Sequence, residues 1–314
     1  MRIVKVVATR LVSMVPTLIL ATLVVFALQR LIPGDAANAI AGEYATAEQV
    51  ELIRERLGLN QPFLLQYWNW VSGAFSGNLG NSLNTGEPIL PLILDRLPTT
   101  ALVASGALLI AVLIGVPFGV WAASNAGTRI DRLFTGATTV GIAVPNFWLG
   151  MLLVLLFATT LHWFPATGGA DPIRDPLGAL HSAVLPSIAL GAVGAAEIGR
   201  QVRSAMIENL QADFVRTHRA KGLSQGVIVW RHALKNSSLP LATVIGLQVG
   251  TFLGSAVAIE AVFGLSGIGS LVVTATNQRD YPVIQGVVFV LALLVLAATL
   301  IVDIVYRILD PRIR

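Results

Sequence analysis

The chain holds 314 residues, 55% of them hydrophobic and 12% charged, with a net charge of +4 and a mean hydropathy of +0.75. An ordinary soluble domain is about 25% charged. A water-soluble globular enzyme, a disordered chain and a nucleic-acid-binding domain are therefore excluded, and a polytopic helical membrane protein remains. With no cysteine in the chain, disulfides, thiolate catalysis and cysteine-based metal centres are excluded too.

Apolar stretches near the length that crosses about 30 Å of hydrocarbon predict six spans. They run from Leu11 to Leu31, Thr99 to Ala123, Leu133 to Leu161, Ala179 to Gly199, Leu239 to Glu260 and Val283 to Tyr306. The fourth is the weakest, being short, glycine-rich and interrupted by Glu197. The first has a basic flank and small residues around Ala37–Ala41, as a signal peptide would. Its apolar run exceeds the 7–15 residues usual for such a segment, so it reads as a retained anchor. The loops alternate sharply in charge. The N-terminal tail (Arg2, Lys5, Arg10), the loop after span two (Arg129, Arg132), the loop after span four and the C-terminal tail (Arg307, Arg312, Arg314) hold fifteen of the 21 basic residues. By the positive-inside rule both termini are expected in the cytoplasm.

This divides the chain into 1–31 (tail and first span), an extracytoplasmic subdomain at 32–98, and a five-helix core at 99–314. Within the subdomain, Thr46-Ala-Glu-Gln49 reads as a capping box. Val50, Ile53 and Leu57 follow at helical spacing, and Gly58 suits a helix stop. The segment fits either a membrane-lying amphipathic cap or a docking surface for an extracytoplasmic partner.

The chain's three lysines are Lys5, Lys221 and Lys235, and none follows a glycine. A phosphate-binding loop needs Gly-Lys, so ATP hydrolysis by this chain is not expected. No catalytic residues are predicted and no metal site is expected. His162 and His181 share an outer loop with Asp171 and Asp175, where solvated loop residues are the simpler reading. Glu197, Glu260 and Asp303 lie near span ends where each could reach an interface, and Asp303 could pair with Arg307 at i+4. No span carries the series of carboxylates or histidines expected of a proton-coupled carrier.

The most informative segment is 200–238, an inner loop too long for a bare connection. Two amphipathic pieces flank Gly222, which suits a left-handed turn. Leu210, Phe214 and Val215 give the first piece an apolar edge; Arg216, Arg219 and Lys221 give it a basic face. An interfacial helix on anionic lipid would fit this composition.

At this point the sequence resembles a family. Asp213-Phe-Val-Arg-Thr-His-Arg-Ala-Lys-Gly222-Leu is similar to the EAA loop of ABC importer permeases, in the subfamily serving dipeptides, oligopeptides, glutathione and nickel (B-type, DppB/OppB-like). Matching motifs run through nearly the whole chain: Leu31-Ile-Pro-Gly-Asp35, Gly77-Asn-Leu-Gly80, Arg96-Leu-Pro98, Pro145-Asn-Phe147, Trp163-Phe-Pro165, Leu185-Pro186, Glu260-Ala-Val-Phe263 and Arg279-Asp-Tyr-Pro282. Each is short, but their order and spacing are specific. Ala36, Asn78 and Leu265-Ser266 depart from the usual proline, aspartate and Pro-Gly. The literal Glu-Ala-Ala is missing.

The resemblance implies an all-α polytopic membrane protein of the type I ABC importer (MetI-like) permease fold, with six transmembrane helices, in the bacterial plasma (inner) membrane. It implies a transport subunit of an ATP-driven, binding-protein-dependent importer for di- or oligopeptides. Nickel or glutathione import, or a stand-alone secondary carrier, are the alternatives. Implied partners are a second, C-type permease subunit, two cytoplasmic ATPase subunits and an extracytoplasmic solute-binding protein, alongside membrane lipid and without nucleic acid. No cofactor is expected on this chain; ATP and Mg would sit on the ATPase subunits. Asp213, Phe214, Arg216, Thr217, Arg219, Ala220, Lys221 and Gly222 would be the ATPase-coupling contacts. Substrate-binding residues are not identified.

Overall fold

A computed structural model describes residues 2–29, 37, 46–56 and 58–309. The Leu31–Asp35 motif, Ala36, most of the small residues near Ala37–Ala41, and Arg312 and Arg314 lie outside the described residues. So do the side chains of Asp303 and Arg307.

The described residues form helices joined by turns and by longer loops at 76–88 and 161–175. In chain order they are α1 (Arg2–Gln29), α2 (Ala47–Arg56), α3 (Phe63–Phe75), α4 (Ile89–Ser124), α5 (Arg129–Ala143), α6 (Asn146–Leu153, continued by wider π-type turns over Val154–Thr160), α7 (Pro176–Gln211), α8 (Asp213–Ala220), α9 (residues 225–236, with π-type turns over Ile228–Ala233), α10 (Ser238–Phe263), α11 (Ile268–Asn277) and α12 (Tyr281–Leu309). Among them, α4, α7, α10 and α12 are each long and apolar enough to cross a membrane, and the bent pair α5–α6 adds a fifth candidate. The apolar part of α1, Val12–Ala27, is shorter.

The stretch 133–161 differs from the single span read from hydropathy. The structure breaks it into α5 and α6, bent by 95°. Pro145 has no N–H to donate and forces Val144 out of helical geometry, so Val144 and Pro145 both take extended dihedrals.

The chain forms two compact units, Met1–Pro98 with Ser266–Leu296, and Thr99–Leu265 with Ala297–Arg314. In the first, α3 is the hub. Tyr67, Val71 and Ala74 recur at helical spacing and are buried. The Tyr67 hydroxyl lies 2.9 Å from Thr22 Oγ1 on α1, while Trp70 and Phe75 meet Phe289 of α12 edge to face. The capping box forms as its residue types require: the Thr46 amide donates to Gln49 Oε1 at 2.9 Å and the Gln49 amide to Thr46 Oγ1 at 3.3 Å. Gly58 ends that helix at φ +66°. The Asp280 carboxylate, 3% exposed, accepts from the Ser82 hydroxyl at 2.5 Å and the Leu83 amide at 3.2 Å. It thereby ties the 82–84 loop to the start of α12.

In the second unit, α7 is the central element, buried on most of its circumference. Its glycines explain how. A Cβ on Gly191 would lie 2.7 Å from the Ala107 carbonyl, one on Gly115 2.7 Å from the Ala195 carbonyl, and one on Gly119 2.5 Å from the Gly199 carbonyl. α4 and α7 thus touch backbone to backbone, the close approach that small residues permit in membranes. The low hydropathy that weakens this span in the sequence follows from that packing. Gly119→Leu is expected to force these helices apart at a cost of about 1–3 kcal/mol, read as a lower unfolding temperature in detergent. Gly136, where a Cβ would meet nothing, should accept alanine without loss.

Candidate functional site: the loop between α7 and α10

α7 runs past the apolar stretch read from sequence and ends at Gln211. The chain turns through extended Ala212 into α8, then through Lys221 and Gly222 into α9. Two contacts fix where this loop leaves and rejoins the core. Asn209 of α7 donates its Nδ2–H to Ser237 Oγ at 3.0 Å, just before α10. At the other side of the base, Arg203 of α7 grips the Asp131 carboxylate of α5 through both Nε and Nη2, the latter at 2.8 Å, while the Gly127 amide donates to the same carboxylate at 2.9 Å. Asp131 is 5% exposed. A charge with so little solvent needs this bidentate partner.

α8 is seated by one apolar residue. Val215 is 1% exposed, on a helix that packs against the end of α7 and against the π-type turns of α9. The rest of the helix faces outward: Asp213, Arg216, Thr217, Arg219, Ala220, Lys221 and Gly222 are all exposed, with Phe214 half-buried. Within this face Arg216 meets Asp213 at 3.6 Å, a solvated i,i+3 pair of little energetic weight. Arg219 reaches the neutral Gln225 at 3.4 Å. The structure therefore brings seven of the eight residues named from sequence onto one solvent-facing strip, with Arg216, Arg219 and Lys221 open to an acidic partner.

The end of α8 is closed by a Schellman motif. The Gly222 amide donates to Arg219 O at 2.9 Å and the Leu223 amide to His218 O at 3.2 Å. Gly222 holds φ +77°, a left-handed value that costs a residue with a Cβ about 1–2 kcal/mol.

Sequence reasoning missed the underside. The His218 ring of α8 stacks on the His232 ring of α9, centroids 4.1 Å apart, and Phe214 packs edge-on against His218. Phe214 and His218 at i,i+4 were a visible signal; His232 lies too far along the chain for periodicity to find. Desolvation, then the charges of His218, Arg231 and Lys235, push the His232 pKa below its ordinary 6.5. Because the folded state favours neutral His232, its contribution is full above about pH 6.5 and is lost as the pH falls. The seat of α8 should loosen on that side of neutrality. Amide exchange of residues 213–222 in the assembled protein should be faster at pH 5.5 than at 7.5, and His232→Gln should remove the difference.

The other polar residues noted from sequence are held locally. His181 stacks on Phe164 at 5.0 Å and His162 Nδ1 lies 3.2 Å from Thr160 O. Glu260, expected to reach an interface, is fully buried instead. The last turns of α10 pack under α4, where the Thr100 hydroxyl donates to Glu260 Oε1 at 2.6 Å.

Residues 115–314 match the family model described as "Binding-protein-dependent transport system inner membrane component", and residues 3–104 match its N-terminal companion. The chain is 38% identical to the dipeptide transport system permease protein DppB of Alkalihalophilus pseudofirmus, over 97% of this chain and 98% of that one. It is 39% identical to the di/tripeptide transport system permease protein DppB of Pseudomonas aeruginosa, over 98% of each chain. It is 35% identical to the oligopeptide transport system permease protein AppB of Bacillus subtilis, over 95% of this chain and 96% of that one. Among solved structures, an inward-facing form of the MetNI methionine ABC transporter superposes with a TM-score of 0.59 at 20% identity, covering 71% of this chain and 99% of that one; this is a likeness of fold. A helical, multi-pass chain that matches both family models over most of its length belongs to the inner membrane permease components of binding-protein-dependent transport systems.

Proposed function

We propose that this chain is one half of the pore of an ATP-driven peptide importer, and that α8 is the lever through which ATP hydrolysis reaches it. The observation that carries the reading is the outward strip of α8. A short helix, anchored by one buried valine and the two clamps at its base, presents three exposed cationic side chains to solvent, of which only Arg216 has an acidic neighbour among the described residues, the solvated Asp213. Curated relatives over nearly the full length are named as dipeptide, di/tripeptide and oligopeptide permeases, which favours peptides as cargo.

In this reading a second, C-type permease completes the pore, and two ATPase subunits carrying ATP and Mg bind on the cytoplasmic side. The chain crosses the membrane six times with both termini in the cytoplasm, a topology that the distribution of its basic loops favours. Residues 32–98 face the solute-binding protein and 99–314 form the transport core. Asp213, Arg216, Thr217, Ala220, Lys221 and Gly222 enter a groove on an ATPase subunit, with Phe214 and Arg219 flanking. Closure of the ATPase pair pushes this helix and rocks the two permease halves between outward and inward access.

The chain's lack of cysteine gives a clean test. Ala220→Cys carries a single thiol on the outward strip, and a photoactivatable thiol reagent there should capture the ATPase subunit in membranes. Capture of lipid alone would remove the coupling assignment.

A further inference from the structure

α10 leaves one face uncovered. Thr243, Leu247, Thr251, Gly254, Ala258 and Ala261 recur at steps of three and four residues and all are exposed. The uncovered face of α4 is built differently, from Leu109, Leu113, Ile114, Phe118 and Trp121. Hydrocarbon selects the second kind of surface. Hydroxyls and small residues mark a face that meets protein or a polar path.

Glu197 sits at the edge of that face. It lies on α7, half-buried, in the weakest of the apolar stretches. Gln248 of α10, beside Leu247 and 3% exposed, donates its Nε2–H to Glu197 Oε2. That amide is its hydrogen-bond partner among the described residues, and it brings no charge. The two cations that follow on α7 do not neutralise it: Arg203 is committed to Asp131, and Arg200 is exposed with no ion pair to Glu197 among the described residues. A carboxylate within a membrane span that has a neutral partner and an open side is poised for a cation that arrives from outside the chain.

We propose that Glu197 is a cargo contact, taking the positively charged amino group of a peptide that passes along the open face of α10. This rests on the peptide-permease reading above. The ammonium supplies both the missing charge and up to three donors. Gln248 holds Oε2, which leaves Oε1 to take the ammonium. The small side chains of α10 leave room for peptides of any sequence, so this contact reads the terminus that all of them share. A single ion pair is strong enough to guide entry and weak enough to allow exit, the balance that a conduction path needs.

The test uses the whole complex in proteoliposomes, with its solute-binding protein and a tripeptide bearing a free amino terminus. Uptake and ATPase stimulation are measured together. Glu197→Gln keeps the shape and a hydrogen bond to Gln248 but loses the charge. It should cut uptake at least about tenfold, the scale of one charge-assisted hydrogen bond, while stimulation of the ATPase by the loaded binding protein stays within about twofold. Glu197→Asp should restore part of the uptake. Wild-type uptake by Glu197→Gln would overturn the proposal, and so would a parallel fall in ATPase stimulation or a failure of Glu197→Asp to do better, since those mark a structural role. If the wild-type complex takes up no peptide, the peptide reading fails and the proposal falls with it. A wild-type complex that works beside an unaffected Glu197→Gln sinks the proposal alone.

Discussion

Gly222→Val is expected to abolish uptake by the assembled importer while leaving membrane insertion and subunit assembly intact. At φ +77° a β-branched residue is strained by its own backbone. A Cβ at this position would meet nothing within 4 Å, so the damage is conformational and stays local. The variant escapes strain by giving up the two Schellman hydrogen bonds, from the Gly222 and Leu223 amides. The last turn of α8 then frays, and Lys221 with the end of the basic strip loses its fixed position. A lever that transmits rigid-body motion cannot tolerate a soft end. Gly222→Asn is the control: asparagine enters the left-handed region at lower cost and should keep a substantial part of the uptake. The checks are peptide uptake in proteoliposomes, ATPase stimulation and co-purification of the subunits. Normal transport by Gly222→Val would remove the lever from the account.

The second large effect concerns the base of the loop. Asp131→Ala leaves Arg203 without its partner beneath α7, and Arg203→Met leaves a nearly buried carboxylate with one backbone amide. Either should destabilise the second unit by about 3 kcal/mol, the low end for breaking a buried pair, because Arg203 keeps some solvent with 26% of its side chain exposed. The loss should appear as a lower unfolding temperature in detergent and as faster proteolysis near α5. The double variant Asp131→Leu with Arg203→Met removes both charges and should recover most of the stability. Failure to recover would mean that the pair supplies geometry an apolar contact cannot replace.

What could be read from sequence divides along physical lines. Local signals were legible. The Thr46–Gln49 capping box, the left-handed stop at Gly58 and the turn at Gly222 each depend on a few adjacent residues, and each takes the predicted form. The long apolar runs marked α4, α7, α10 and α12 because membrane insertion acts on total hydropathy. Two things hydropathy could not reveal. It runs through Val144 and Pro145 without pause, so the 95° bend between α5 and α6 is a consequence of proline stereochemistry that apolar averages hide. It also marks α7 as weak, though α7 is the most buried of the long helices. Glycines that lower hydropathy are what let α4 approach it.

Contacts between distant parts of the chain were the least legible. Asp131 and Arg203 are 72 residues apart, Ser82 and Asp280 198, and Thr100 and Glu260 160. Each is a polar pair brought together by packing, and neither partner announces the other in sequence. The same holds for the candidate site. Its outward strip was visible as a basic face around Gly222, whereas the His218–His232 stack and the Asn209–Ser237 clamp beneath it emerge only when α7, α8 and α9 are brought together.

The central claim is that this chain works as a coupled half of a larger machine. Affinity purification of the tagged chain from native membranes in mild detergent, followed by mass spectrometry and an ATPase assay on the same sample, tests it most directly. The account predicts a second permease, ATPase subunits and ATP hydrolysis in the wild-type sample, with the ATPase subunits lost or hydrolysis uncoupled when Arg216, Arg219 and Lys221 are all replaced by glutamate. A lone chain without ATPase activity, under conditions that keep other transporter complexes whole, would contradict it and leave α8 as a helix resting on lipid.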